Sequence, residues 1–454
     1  MKNSPILIIL AAGEGTRMNS DRPKVLNRVC GRPMIGHVLA AAGALDPARV
    51  MVVTAPGQDA VRTAAAPWET CIQEAQRGTG DAVRAALDAL GAGEGPVLVA
   101  YGDMPLVTAE TLRRVVDALP DDGDGIVVLG FHAEGDHGYG RLVVDADGNL
   151  ERIVEALDAT AEEKAITLCN SGLMAATSRA LLAGLVARLS SDNAKGELYL
   201  TDVVGLARDD GVTCTAVLAP SEEVLGVNTR AELAVAEATM QTRLRGAAMA
   251  EGVTLVDPTT VYLSFDTRFG RDTVIGPHVW FGPDVSVGDN VEIRPYCHIE
   301  GAAIGDGAII GPFARLRPGA DIGAEAHIGN YVEIKAARIE RGAKINHLTY
   351  VGDARVGAEA NIGAGTITCN YDGFDKHHTD IGAGAFIGSN AALVAPVVIG
   401  DGAVIGAGSV ITGEVPKDAL AIARGEQKTV KGGGAKYRAR KSAAASGKAS
   451  GGEG

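Results

Sequence analysis

The sequence predicts an α/β domain followed by a parallel β-solenoid. Three observations carry this. An aliphatic or aromatic residue recurs every six positions through the second half of the chain, often followed by Gly. The first half instead alternates short apolar runs with Ala-rich helical stretches. Near residue 424 all periodicity stops. A helix repeats near 3.6 residues and a half-buried strand near 2, so a period of six belongs to neither. It fits a solenoid whose coils each turn one side into a shared core.

In the first half, Ile6-Leu10, Val50-Thr54, Val97-Tyr101 and Ile126-Gly130 read as buried parallel strands, with helices over Asp81-Leu90 and Ala109-Leu119. This βαβ alternation implies a doubly wound, Rossmann-like domain over residues 1–229. Residues 230–250 read as one long exposed helix, a rigid connector. The six-residue beat then runs through Ile275, Phe281, Val287, Ile304, Ile310, Leu316, Ile322, Ile328 and Ile334. It resumes after slips at Val356, Ile362, Ile381, Ile387, Leu393, Ile399 and Ile405. A Gly beside the aliphatic relieves crowding where the chain turns a corner. The solenoid is assigned to residues 251–424. The Gly/Ala/Ser/Lys tail over 425–454 is expected to be disordered.

The chain has 454 residues and a net charge of −14, which argues against nonspecific nucleic-acid binding. Cys30, Cys71, Cys169, Cys214, Cys297 and Cys369 lie far apart with no Cys-x-x-Cys pair. That pattern reads as free thiols in a reducing compartment. The apolar run Ile6-Ala12 is too short to span a membrane. It reads as a buried strand rather than a signal peptide, so a cytoplasmic protein with no membrane partner is expected.

The first strand runs into Ala11-Ala12-Gly13-Glu14-Gly15-Thr16-Arg17-Met18, a turn able to offer backbone N–H groups to phosphate. It is neither a Rossmann Gly-x-Gly-x-x-Gly nor a P-loop. Pro23-Lys24 puts a lysine beside it, and Gln73 with Gly78-Thr79-Gly80 makes a second polar turn. Tyr101-Gly102-Asp103 ends a strand, where an Asp faces the ligand crevice and is a hard ligand for Mg²⁺.

These residues resemble the sugar-nucleotide pyrophosphorylases. The short spacing from Met18 to Lys24 favours the UDP-N-acetylglucosamine branch. Matching continues at Gly138-Tyr139-Gly140-Arg141, Glu155, Asn170-Ser171-Gly172, Glu197 to Asp202 and Gly226 to Arg230. Ser171 and Leu198 stand where Thr and Tyr are usual. The resemblance implies contacts to uracil and ribose from Leu10, Ala11, Ala12, Gly13, Gln73, Gly78 and Thr79. It further implies UDP-sugar contacts from Tyr101, Gly102, Gly140, Glu155 and Asn170, and Mg²⁺ at Asp103 and Asn228. Catalysis would then rest on positioning and charge neutralisation, with Lys24 at the sugar phosphate and Arg17 at the triphosphate of UTP.

In the second half, polar residues cluster where the beat slips: Arg315 to Pro318, Tyr331 to Lys335, Asn346 to Tyr350 and Asn370 to Gly373. Tyr371 to Thr379 reads as an inserted loop. The runs from Ile310 to Ala320, His347 to Asp353 and Asn361 to Gly373 resemble the acetyltransferase half of the bacterial bifunctional enzyme that makes UDP-N-acetylglucosamine. With the first half, the resemblance covers about residues 5 to 424. It implies a left-handed parallel β-helix and a homotrimer. It also implies that the product feeds peptidoglycan and lipopolysaccharide synthesis. His347 would be the general base toward the amine of glucosamine 1-phosphate, a task suited to an imidazole. Arg317, Lys335, Tyr350 and Asn361 would hold the sugar phosphate. Ala364, Asn370, Tyr371, Ser389, Ala407 and Arg424 would contact acetyl-CoA.

Three other readings compete. His298, His327, His377 and His378 suggest a metal site like that of carbonic anhydrases on the same scaffold, but Arg317 and Lys335 would repel a cation. A hexose 1-phosphate nucleotidyltransferase with a regulatory solenoid is opposed by the Met18-to-Lys24 spacing and by His347-Leu-Thr-Tyr. A trimeric scaffold with one active head is the third. Asn346, Ala336 and His377-His378 depart from the family pattern.

Overall fold

The computed structural model describes residues 4–91, 94–133 and 138–449. It falls into two compact units: residues up to Arg271 with Ile275–Val285, and Asp272–Val274 with Ser286 onward.

The first unit is built on a nine-stranded sheet. From edge to edge its main path runs Thr213–Leu218, Gly125–His132, Leu168–Ala176, Val97–Tyr101, Ile6–Leu10, Arg49–Thr54 and Glu69–Ile72. Only Leu168–Ala176 runs antiparallel to its neighbours on this path. A hairpin of Arg141–Val144 and Leu150–Val154 joins it beside Cys169. The first strand shows why both faces are covered. Ile6, Ile8 and Leu10 pack with Ala82, Val83 and Leu87 of helix Thr79–Leu90. Leu7 and Ile9 pack with Val38 of helix Met34–Gly43 and with Leu112 and Val115 of helix Ala109–Asp117. Alternate side chains of a strand point to opposite faces, so an unbroken apolar run demands a helix layer on each side.

Helix Arg230–Ala250 buries only Ala236, Gln241 and Ala248, yet it is tied into the first unit. It starts at a capping box in which Thr229 and Glu232 satisfy each other's backbone N–H groups. Its Gln241 is buried, accepting from Leu263 N–H and donating to Leu263 O at 2.9 and 2.8 Å. Glu237 accepts the Cys30 N–H at 2.7 Å, and Phe265 N–H donates to Cys30 O. The helix is thus bonded to the turn at Cys30 on one side and to residues 263–265 on the other. The first solenoid-like residues belong to this unit, and its edge lies beyond the sequence boundary at 229.

In the second unit every aliphatic of the beat from Val287 onward is buried. Parallel ladders join consecutive coils and form three stacks. One carries Glu292, Ile309, His327, Lys344, Asn361, Phe386 and Val404 in register. A second carries His298, Arg315, Glu333, Tyr350, Ile367, Ala392 and Val410. The third runs Ala302, Ala320, Ala337, Ala354, Thr379 and Val397. The slips in the sequence are coils one residue shorter: Ile309 pairs with His327 eighteen residues on, His327 with Lys344 seventeen on. Each coil rests only on its neighbours, the defining property of a solenoid.

The tail departs from the expectation of disorder. Gly433–Ala449 is a helix, exposed wherever its side chains are described. Ala, Lys and Arg between Ala435 and Lys441 have high intrinsic helix propensity, which operates without any packing. Residues 450–454 of that tail lie outside the described residues.

Candidate active sites

In the first unit the carboxyl ends of Ile6–Leu10 and Val97–Tyr101 open onto a cleft of about 690 Å³. Leu10, Ala11, Ala12, Gly13, Arg17, Lys24, Gln73, Gly78, Thr79, Tyr101, Asp103 and Asn228 line it. Glu197, the first residue of the matched run to Asp202, also lines it, as do Gln76 and Lys195, which were not singled out. Gly15 sits at φ 66°, and a Cβ there would stand 2.5 Å from Lys24 Cβ. The loop can therefore fold back over the lysine only with glycine. Gly78, at φ 109°, similarly lies against the backbone of Leu198.

Charge concentrates at one end of the cleft. Lys24 Nζ pairs with Asp103 and donates to Asn228 Oδ1 at 2.9 Å. Arg17 donates to the same Asn228 oxygen at 3.0 Å. Asn228 is fixed from behind, its N–H donating to Glu232 Oε2 at 2.7 Å, while Val227 N–H donates to Asp103 O. At the other end Gln73 donates to Gly78 O and Asp81 Oδ2, so its side-chain oxygen is the group left to read a ligand. Thr79 Oγ1 accepts Leu200 N–H.

A second hollow of about 240 Å³ shares Thr79, Tyr101, Lys195 and Glu197 as walls and adds Gly140, Glu155, Asn170, Tyr199 and Thr201. Asn170 N–H donates to Gly140 O, and Thr201 donates to Glu155 Oε1 at 3.1 Å. Burial raises the Glu155 carboxyl above its ordinary range, against the opposing pull of Thr201. Burial also pushes the Tyr101 phenol up. Gly102, expected among the UDP-sugar contacts, lines neither hollow; its N–H donates to Leu10 O.

In the second unit one corner of the prism holds, at the second position after successive buried aliphatics, Asn330, His347, Ala364, Ser389 and Ala407. His347 Nδ1 lies 2.6 Å from Asn330 Oδ1. The Arg424 guanidinium donates to Ala407 O. On an adjoining face, Arg317 donates to Glu333 at 2.8 Å, and Lys335 lies 3.5 Å from Asp353. Asn370 bridges Asp353 and the Tyr350 hydroxyl. Lys376, on the inserted loop with Tyr371, brings its ammonium beside that of Lys335, which pushes Lys376 below the usual lysine range. It is the residue that sequence reading missed here, since a lone lysine in a loop carries no periodic signal. Asn361 is not with this cluster. It lies in the neighbouring stack, in register between Lys344 and Phe386.

Among the described residues, no group of three or more His, Cys, Asp or Glu side chains could hold a metal ion. None of the six cysteines forms a disulfide. Among the described residues no helix is long and apolar enough to cross a membrane.

A cation-lined crevice at strand ends, joined to a prism of hexapeptide coils, defines a nucleotidyltransferase head with a hexapeptide acyltransferase. Residues 7–196 match the MobA-like NTP transferase domain, and residues 301–336 and 378–413 match the bacterial transferase hexapeptide repeats. The chain is 57% identical over 438 residues to the Bifunctional protein GlmU of Paramagnetospirillum magneticum, covering 96% of this chain and 97% of the relative. It is 58% identical over 433 residues to that of Rhodospirillum rubrum, covering 95% and 97%. It is 52% identical over 441 residues to that of a Bradyrhizobium species, covering 96% and 97%. The chain belongs to the family of bifunctional GlmU proteins. It is a glucosamine-1-phosphate N-acetyltransferase and a UDP-N-acetylglucosamine diphosphorylase in one chain, its second half a left-handed parallel β-helix. The family of the head implies a divalent metal. The donor set fits one: a carboxylate and an amide oxygen, both hard, already converge on the ammonium of Lys24.

Proposed function

We propose the following division of labour among the residues. In the acetyl transfer, the amine of glucosamine 1-phosphate attacks the thioester carbonyl of acetyl-CoA. The amide C–N bond forms, the C–S bond breaks, and the thiolate leaves as coenzyme A. His347 Nε2 takes the amine proton. Arg317, Lys335, Tyr350 and Asn361 bind the sugar phosphate, joined by Lys376. Ala364, Asn370, Tyr371, Ser389, Ala407 and Arg424 line the path of acetyl-CoA. The observation that carries this is the single corner shared by His347, its partner Asn330, and Ala364, Ser389 and Ala407. Coils stacked about 4.8 Å apart suit an extended cosubstrate.

In the uridylyl transfer, a phosphate oxygen of N-acetylglucosamine 1-phosphate attacks the α-phosphorus of UTP and pyrophosphate leaves. Leu10 to Gly13, Gln73, Gly78 and Thr79 hold the uridine. Tyr101, Gly102, Gly140, Glu155 and Asn170 hold the sugar. Lys24 and Arg17 neutralise the phosphates. Asp103 and Asn228 would hold Mg²⁺, which would supply positive charge against the negative charge of the phosphates. Lys24 then releases those two oxygens and turns to phosphate, a shift its flexible stem allows.

The acetyltransferase works as a homotrimer. Two features support this. Asn361 lies in a different stack from Arg317 and Tyr350, so the four predicted phosphate ligands are spread over two faces of one prism. Beside the His347 corner, Tyr296, Phe313 and Tyr331 form an exposed stacked ladder with centroids 4.8 and 5.0 Å apart, followed by exposed Leu348. A contiguous apolar stripe of this kind calls for a partner. The cytoplasm is the proposed compartment, supported by six cysteines that form no disulfide, and the product is proposed to feed peptidoglycan and lipopolysaccharide synthesis.

The decisive experiment supplies glucosamine 1-phosphate and acetyl-CoA and follows free thiol, then adds UTP and Mg²⁺ and follows pyrophosphate. Thiol release followed by pyrophosphate release is expected. Pyrophosphate without thiol would reduce the solenoid to a scaffold.

A further inference from the structure

The inserted loop leaves the prism between Cys369 and Thr379 and is the one long interruption of the coils, Asn361 pairing with Phe386 where other coils repeat at sixteen to eighteen residues. It has almost no core of its own, and Phe374 at its tip is 91% exposed. Its shape therefore depends on a few polar contacts. Tyr371 and Lys376 form an antiparallel bridge. Asp372 Oδ1 accepts the N–H groups of Phe374 and Asp375 at 2.8 and 2.7 Å. Asp372 Oδ2 lies 2.8 Å from His377 Nε2, and His377 N–H donates to Asn370 O at 2.8 Å. These donors hold the Asp372 carboxyl well below the usual carboxylate range.

On the other edge of the hairpin, Lys376 meets Lys335, with Arg317 also close enough to act on it. Glu333 and Asp353 already pair with Arg317 and Lys335, and Asp353 also attracts Lys376, so the repulsion of Lys376 by Lys335 is only partly offset. A lysine on an exposed loop would gain both rotamer entropy and Coulomb energy by swinging into solvent. Something on the loop has to oppose that. The residue before the turn and the residue after Lys376 are joined by the imidazole–carboxylate contact, which fixes the strand that carries Lys376.

We propose that His377 is a positioning residue, and that its contact with Asp372 latches the inserted loop so that Lys376 stays in the anion-binding cluster with Lys335 and Arg317. This rests on the reading of that cluster as the sugar-phosphate site. His377 touches neither substrate. It acts through the geometry of Lys376, and Gln in its place keeps a donor able to reach Asp372.

The test is a double-mutant cycle on the full-length enzyme. His377→Ala raises KM for glucosamine 1-phosphate about ten- to twentyfold, the lower part of the ~10–100-fold carried by a hydrogen bond to a charged group. The kcat at saturation stays within about twofold, and His377→Gln restores most of the affinity. In a Lys376→Ala background, His377→Ala adds less than about twofold, because residues acting as a unit are not additive. Amide exchange, which needs no substrate, is measured alongside. The N–H groups of Phe374 and Asp375 exchange about tenfold faster in His377→Ala. Independent, additive effects on KM overturn the proposal, as does unchanged exchange. If the wild-type enzyme transfers no acetyl group, the phosphate-site reading fails, and the exchange rates alone decide the latch.

Discussion

Asn330 holds the imidazole of His347 across one step of the prism ladder, with Nδ1 2.6 Å from the amide oxygen and the two residues in register. An amide oxygen only accepts, so Nδ1 carries the proton and Nε2 keeps its lone pair, as the proposed general base requires. His347→Ala should lower acetyl transfer by ~10²–10⁴-fold and leave uridylyl transfer intact. Asn330→Ala should keep the base but free its tautomer and orientation, lowering kcat about tenfold with little change in KM. Thiol-release kinetics measure both, and a full rate in His347→Ala would exclude it as the base.

Asp103→Ala should abolish UDP-sugar formation while acetyl transfer stays near normal. The substitution removes one of the two oxygens that meet at Lys24. Chelation of divalent metal should have the same selective effect, restored by Mg²⁺. Equal loss of both activities in a folded trimer would contradict it.

Glu155→Gln should stabilise the head at neutral pH while weakening sugar binding. Burial raises the native carboxyl. The folded state thus holds this proton to higher pH than the unfolded chain does. Stability falls as pH rises from the unfolded Glu value of about 4.3 through the raised native one. The penalty is fully present above that window and absent below it. Melting of a head fragment should therefore rise by about 2 °C or more at pH 7.5 in the variant, with the difference vanishing near pH 4. A variant less stable at pH 7.5 would refute this.

The packing of helix Arg230–Ala250 sets where the head ends. A fragment of residues 1–285 should retain uridylyl transfer. One ending at Met249 loses Leu263, Ser264 and Phe265 from around Gln241 and Cys30. It should melt at least several degrees lower, about 2–4 °C for each kcal/mol lost. Equal melting would show that those contacts contribute nothing.

Residues 286–454 should sediment as a trimer. Tyr331→Glu, placing charge in the stacked ladder, should shift it toward monomer and lower acetyl transfer in parallel. A monomer at full rate would refute an intersubunit site.

The solenoid was legible because each buried aliphatic marks one side of a coil, and the slips in the beat fall beside the corner proposed for acetyl transfer. In the head, Ile6–Leu10 and Val97–Tyr101 were visible as apolar runs. Leu168–Ala176 was hidden by Asn170-Ser171-Gly172, where the ladder breaks register between Asn170 and Met174 and the strand contributes to the hollow beside Glu155. Edge strand Thr213–Leu218 is half polar and gave little signal. Asn330 and Lys376 became apparent only through neighbours distant in sequence. The tail helix was masked by its glycines.

The corner from His347 to Ala407 works as a ruler with fixed divisions. Each coil adds about 4.8 Å, so reach along the prism changes only in whole steps, about 14 Å between the first and last of these positions. Point substitutions cannot retune that length gradually. Gaining or losing a complete coil would keep the core continuous while moving the far end of the groove by a full division, and a cosubstrate of another length would then fit.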